Sequence, residues 1–479
     1  MRSINIVLIF CLLSVTALAR EQIVHSSKEI RNAIWSPLTE IEINTLSNAE
    51  LAKNGDPDAL LALAILASGD TRTRADFDQI RNKIQQFVER LKPALAEDKN
   101  LWLKGFQLHS AMHDEFFAAN SAKGELKGYR ANQSQFTRIF RNKTYNCISS
   151  SLLYLILARY FTLPVEGVVL PSHSFVQLTT AEGKVIEIET TSKTGYGIRH
   201  NQAYYKNSAQ HWSQIRNLYP ATYEDYLKRK IVSAYQLIAD NMNHQHTAEN
   251  LLPQADRFRL QEIRGWLLPE DPQAQLFRLY VFNNKLIQLK EQRRYEAARK
   301  LIKAAEHLIE HYSQALESGK TLDKRVYSII TFLYSSRANI AFAEEDYAAA
   351  VGSFIKALHW VRDQAQAAQI ERNISVAYLN QGNAFFSKKE YPSAISFYEQ
   401  AYSAFSSQED NSDTELRQKI KHNIGSAYWN MAVPYLNAGN SYAAHELLKQ
   451  CRVKHPEVKK CLQGINEICQ SYSLPGCQQ

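Results

Sequence analysis

Three residues of this chain have the types and local settings for nucleophilic chemistry. Cys147 stands in YNCISSSLLYLILARYF, His173 in PSHSFVQLTT and Glu189 in KVIEIETT. From Ile148 to Phe161 the apolar positions cover most of a helical circumference, which predicts a core helix with Asn146 as its N-cap. Cys147 then sits at the positive end of the helix dipole, where a thiolate is favoured over a thiol. A thiolate can attack an acyl carbon, an imidazole can take and return the proton, and a carboxylate can orient the ring and stabilise its cation. Gln133 and Gln135, a little ahead of the cysteine, are candidates to join the Cys147 backbone N–H in an oxyanion hole.

The elements that must bring these groups together are legible as well. HSFVQLTTAEGKVIEIETT reads as a β-hairpin closed by Ala181-Glu182-Gly183, with Gly183 in the left-handed position that such loops require. Thr180 then faces Lys184 and Phe175 faces Glu189. That register makes His173 and Glu189 diagonal neighbours on one side of a sheet. Val176, Leu178, Ile186 and Ile188 fall on the other side and anchor it in apolar surroundings.

Tyr-Asn-Cys147-Ile-Ser at a helix start, Pro-Ser-His173-Ser-Phe-Val opening a strand and Ile-Glu189-Thr-Thr on the next resemble the core of the bacterial transglutaminase-like cysteine-peptidase superfamily. The resemblance covers roughly residues 125–200. It implies an α+β, papain-like core and thioester chemistry on an amide or peptide bond, with Cys147, His173 and Glu189 at the triad positions. Glu189 departs from the family, which more often has Asp before a Pro-Thr pair. Three functions follow as expectations: a thiol hydrolase of the cysteine peptidase or amidase kind, an acyltransferase that hands the acyl group to an amine, and an inactive scaffold or adaptor. The substrate expected is a protein or peptide. No cofactor is implied, and a metal site on the same three residues is not expected.

Around this core the chain is read as helical. In FDQIRNKIQQFVERLKPAL the apolar residues Ile80, Ile84, Phe87, Val88 and Leu91 recur every three or four positions, and this spacing continues through residues 47–125. Beyond about residue 215 helical patterns return, and RRYEAA at 293, EDYAAA at 345 and KEYPSA at 389 each open an amphipathic helix. They fit the tetratricopeptide pattern, whose small residues fall on Ala298, Ala350, Ala394 and Ala444 and again on Ala305, Ala357, Ala401 and Cys451. The best copy also matches at Tyr378, Gly382, Phe385 and Tyr398. From Ala298 to Ala350, Ala394 and Ala444 the steps are 52, 44 and 50 residues, longer than the usual ~34. Helices or loops must therefore be extended. Such repeats commonly present a surface to a protein partner.

MRSINIVLIFCLLSVTALA has Arg2 ahead of an apolar run and ends on Ala17-Leu18-Ala19, the layout of a secretory signal peptide cut after Ala19. Its apolar core is shorter than a membrane span needs, so a periplasmic or secreted protein is expected. Cleavage would remove Cys11. Of the cysteines left, Cys451, Cys461, Cys469 and Cys477 cluster at the C-terminal end and are expected to form two disulfides, with three connectivities open. Cys147 is left unpaired. A net charge of +8, from 56 basic and 48 acidic residues with no long run of one sign, reads as a solvated surface and argues against a nucleic-acid partner. The expected organisation is signal peptide 1–19, helical region 20–124, cysteine-hydrolase core 125–215, helical connector 216–280 and repeats 281–479.

Overall fold

The structure is a computed structural model in which residues 27–31, 34–71, 73–96, 100–117, 128–207, 221–247, 252–404 and 414–472 are described. The expected signal peptide lies outside these residues. The chain divides into two compact units, the first ending at Val281 and the second beginning at Phe282.

The first unit is built on helices and one small sheet. Helix α1 (Pro57–Ala67) starts at Asp56, whose carboxylate accepts the Ala59 N–H at 2.8 Å, with Pro57 at a position that needs no intrahelical donor. Helix α2 (Arg74–Ala96) buries Ile80, Ile84, Phe87 and Val88, the stripe expected from its sequence. Helix α3 (Leu101–Phe116) follows, and then α4 (Cys147–Tyr160). In α4 every side chain from Leu152 to Ala158 is fully buried, because the helix has contacts on all sides: α1, α3, the sheet, and α5 (Ala234–Thr247). That accounts for an apolar circumference without an exposed face.

The sheet holds β1 (Val165–Leu170), β2 (His173–Thr179), β3 (Val185–Ile188) and β4 (Lys230–Val232) in the order β3-β2-β1-β4, all antiparallel. The two residues Pro171 and Ser172 join β1 to β2, so Leu170 faces His173. At the other end of β2, Gly183 has φ of 77° and the Thr180 N–H donates to the Lys184 carbonyl at 2.9 Å. The β2–β3 register, Val176 with Ile188 and Leu178 with Ile186, is the one this loop dictates. Those four side chains are buried in the main core, whereas Val168, Leu170 and Phe175 gather with Tyr205 on the other face. Strand β4 carries no sequence signal, since three residues are too few for a period to register. It lies in the stretch read as helical connector and pairs with β1 at Gly167–Val169.

The second unit is all-helical among its described residues, a succession of packed neighbours from Tyr295–Glu317 to Lys459–Ser471. Ala298, Ala305, Ala350, Ala357, Ala394, Ala401, Ala444 and Cys451, the eight small positions of the repeat pattern, are all fully buried. A Cβ on Gly382 would lie 2.5 Å from the Tyr398 ring, so a glycine is needed where these helices meet. The long repeat period is explained by long helices, 20 residues in Lys324–Ala343 and 24 in Gln364–Ser387 and in Thr414–Asn437. Arg293, Glu345, Lys389 and Gly439 take positive φ of 54°, 63°, 66° and 75°, each five residues ahead of a repeat alanine. Near the C-terminal end a Cys451–Cys461 disulfide joins Ser441–Lys454 to Lys459–Ser471, with Cα atoms 5.9 Å apart. Cys469 is disulfide-bonded as well, and Cys477 lies outside the described residues.

Candidate active site

The nucleophile candidate is held by its helix start. Asn146 caps α4 through Oδ1, which accepts the Ile148 and Ser149 N–H groups at 3.0 Å each, while the Asn146 N–H donates back to Ser149 Oγ at 2.9 Å. The Asn146 carbonyl takes the Ser150 N–H. Three of the four first-turn donors are thus satisfied, and the N–H of Cys147 itself is left without an acceptor among the described residues. Cys147 is 7% exposed and is the one free cysteine among the described residues.

His173 comes to this sulfur from the first position of β2, and Glu189 from the residue after β3. His173 Nε2 lies 2.6 Å from Glu189 Oε2, which leaves Nδ1 for the thiol. Burial opposes charge on Cys147, but its hydrogen bond to the imidazole, the positive charge of that ring and the Ser174 N–H together lower the thiol's pKa. Burial likewise opposes the imidazolium, and the Glu189 carboxylate and the Cys147 side chain overcome it, so His173 is raised well above the ordinary histidine range. Glu189 is also resisted by burial, yet the His173 charge and the Thr191 donors bring it down to about 2. These directions describe a thiolate–imidazolium pair backed by an ionised carboxylate. The ring has the more open edge, with 20% of the His173 side chain exposed against 7% for that of Glu189.

The acid is clamped from its other oxygen. Glu189 Oε1 accepts the Thr191 hydroxyl at 2.7 Å and the Thr191 N–H at 3.1 Å, and the Glu189 N–H donates to the Gly195 carbonyl at 2.9 Å. A Cβ on Gly195 would stand 2.0 Å from the Glu189 carbonyl oxygen, so only glycine lets the 189–195 loop fold back this tightly. Thr190 bonds Ser150 and Ser151 of α4 at 2.8 and 3.1 Å, tying the Glu189 loop to the Cys147 helix. Behind it lie His109 and His113 of α3, ring centroids 4.7 Å apart, packed on the backbone of Glu189 and Thr190. Burial holds both rings neutral, His109 down to about 4 and His113 to about 3. Their four-residue spacing in HSAMH was readable on a helical pattern, but nothing in the sequence tied them to Glu189.

The candidate oxyanion glutamines have other partners. Gln135 is fully buried, its amide nitrogen donates to the Ser68 carbonyl at 3.1 Å, and its oxygen receives Gln133 Nε2 at 3.4 Å and Arg138 Nε at 3.3 Å. The backbone of Gln133 does reach α4, where its carbonyl accepts the Ser149 hydroxyl at 3.4 Å. Both residues therefore fix the loop that leads into the helix. No three His, Cys, Asp or Glu side chains gather in a metal-holding arrangement among the described residues.

Residues 78–230 match the family model of the transglutaminase-like superfamily. The chain carries a transglutaminase-like domain. The match takes in most of α2 and all of α3 ahead of the Cys147 helix, and ends at the first residue of β4. No curated protein matches the chain. No described helix is long and apolar enough to cross a membrane.

Proposed function

We propose that the transglutaminase-like domain is a thiol hydrolase that opens an amide or peptide bond through Cys147, His173 and Glu189. The observation that carries this reading is the 2.6 Å contact between His173 and Glu189 on a ring whose other nitrogen faces the Cys147 thiol. The Cys147 thiolate attacks the acyl carbon, and the oxyanion that forms lies against the free Cys147 N–H. Imidazolium His173 gives its proton to the departing amine as the C–N bond breaks, leaving a thioester and a neutral ring. His173 then takes a proton from water, the resulting hydroxide adds to the thioester, and the C–S bond breaks to release the acid and restore the ion pair. Glu189 keeps the ring's Nε2–H oriented throughout.

The protein works in the periplasm or outside the cell in this proposal, and the Cys451–Cys461 disulfide supports an oxidising compartment. The helical repeats hold a protein partner. A second reading, an adaptor that retains the fold without turnover, draws on the low exposure of Cys147. Iodoacetamide separates the two. The hydrolase should be alkylated at Cys147 at a pH below the ordinary thiol range of about 8.5, and Cys147→Ser should abolish labelling and peptide turnover together. A folded chain indifferent to the reagent would leave the adaptor reading. Adding a primary amine to the turnover assay shows whether water or an amine receives the acyl group.

A further inference from the structure

Strand β3 ends the sheet, and part of its outer edge is open. The Thr180–Lys184 bond sets the ladder, so Lys184, Ile186 and Ile188 turn their backbone groups to β2, while Val185, Glu187 and Glu189 turn theirs outward. The Gly197 N–H donates to the Glu187 carbonyl at 2.9 Å, and the Gly195 carbonyl accepts the Glu189 N–H. The N–H and C=O of Val185 and the N–H of Glu187 have no partner among the described residues. An unpaired edge of this kind is a template for another strand.

The surroundings of that edge differ on its two sides. Helix α3 packs on the sheet face that holds Leu178, beside Gly105, and presents Trp102, 42% exposed and stacked on Phe106. On the opposite face Tyr226 bonds Glu187, and Arg229 lies over the Tyr226 ring at 4.1 Å. A cavity of about 680 Å³ joins the two sides, lined among others by Trp102, Val185, Lys184, Arg199 and Arg229. The three cations have no ion-pair partner among the described residues. Both oxygens of Glu187, the acid in this cavity, are occupied by His200 and by the Tyr226 hydroxyl. Three cations against this one carboxylate leave the cavity with an excess of positive charge.

We propose that the open edge of β3 docks an extended peptide as an added strand, with carboxylates on alternate residues meeting Arg199 and Arg229 and apolar residues on the other face meeting Trp102. Backbone pairing to Val185 and Glu187 sets the register, and the alternation of side chains along a strand delivers the two chemistries to the two sides. The site is separate from Cys147 and does not depend on its chemistry. It recruits an acidic, strand-forming segment of a protein, whether or not that protein is cut.

The test is fluorescence anisotropy on the full chain with a fluorescein-labelled peptide of alternating Glu and Val. Saturable binding is expected, weakened at least about tenfold by the double variant Arg199→Glu, Arg229→Glu, by N-methylation of the peptide's backbone, and by Val185→Pro. The last removes an N–H that points away from β2 and so leaves the sheet's own ladder intact. Cys147→Ala should bind as the wild type does. Absence of saturable binding, equal binding of the N-methylated peptide, or equal binding of a Lys-Val counterpart would each overturn the proposal.

Discussion

The two units solve opposite packing problems. In the first, polar groups are buried deliberately: Glu189, Thr190, Thr191, Ser150 and Ser151 form a connected network in which the carboxylate and the hydroxyls are satisfied. In the second, seven of the eight repeated positions are alanines with nothing to bond and the eighth is the disulfide-bonded Cys451, and what matters is that they occupy little space. A buried polar network is costly when incomplete and specific when complete, so it holds a few groups in one geometry. A small-residue stripe fixes only how closely two helices approach. The first arrangement suits chemistry at a point, the second a long surface.

The sharpest way to break this contrast is to remove one charge from the network. Glu189→Gln takes away the anion that raises His173, so the imidazolium and with it the thiolate should be lost at neutral pH. Peptide turnover there should fall by about 10³–10⁴-fold, and the iodoacetamide reaction should move up in pH toward an ordinary thiol near 8.5. A variant that keeps the wild-type alkylation profile would show that the network does not control the nucleophile.

Acid provides a milder probe of the same network. His109 and His113 stay neutral in the folded state down to about 4 and about 3, whereas in the unfolded chain each takes a proton near 6.5. Below that pH the unfolded chain binds protons that the folded one refuses, so stability is full above pH 6.5 and falls as pH drops towards 4. For His109 alone the loss is about 3 kcal/mol by pH 4. Glu189 is held down to about 2 in the folded chain against about 4.3 unfolded, so its own contribution is lost below this range, as pH falls from about 4.3 towards 2. Urea melts of the wild type and His109→Gln between pH 7 and 4.5 should show the variant's stability falling less steeply.

The smallest effect should come from the repeats. Ala350→Leu forces extra methylenes into a fully buried position and should destabilise by about 1–3 kcal/mol. Hydrogen exchange should speed up in Lys324–Ala343 and Tyr347–Trp360, while alkylation of Cys147 keeps its rate. Loss of thiol reactivity in this variant would erase the distinction between a unit for chemistry and a unit for surface.

Much of the site's scaffold was legible because its signals are local. Asn146 as a cap, Cys147 at the helix start and the register from Gly183 to the His173–Glu189 pair each follow from a few adjacent residues. The histidines behind Glu189 and the pairing of β4 with β1 were not, since each depends on segments far apart in the chain. Gln133 and Gln135 show the converse. Residue type and proximity to Cys147 suggested oxyanion donors, but their amides close a loop with Ser68 and Arg138.

The sequence by itself determined periodicities and turns: a fully apolar helix beginning on a cysteine, a hairpin whose register follows from a three-residue loop, and a stripe of small residues repeated along the second half. Only the tertiary structure decided which buried polar atoms meet, because hydrogen bonds of under 3 Å between distant segments depend on how helices and sheet pack, not on the residues beside them. For the same reason the open edge of β3 and its unpaired cations came into view only when the neighbours that could have covered them were in place.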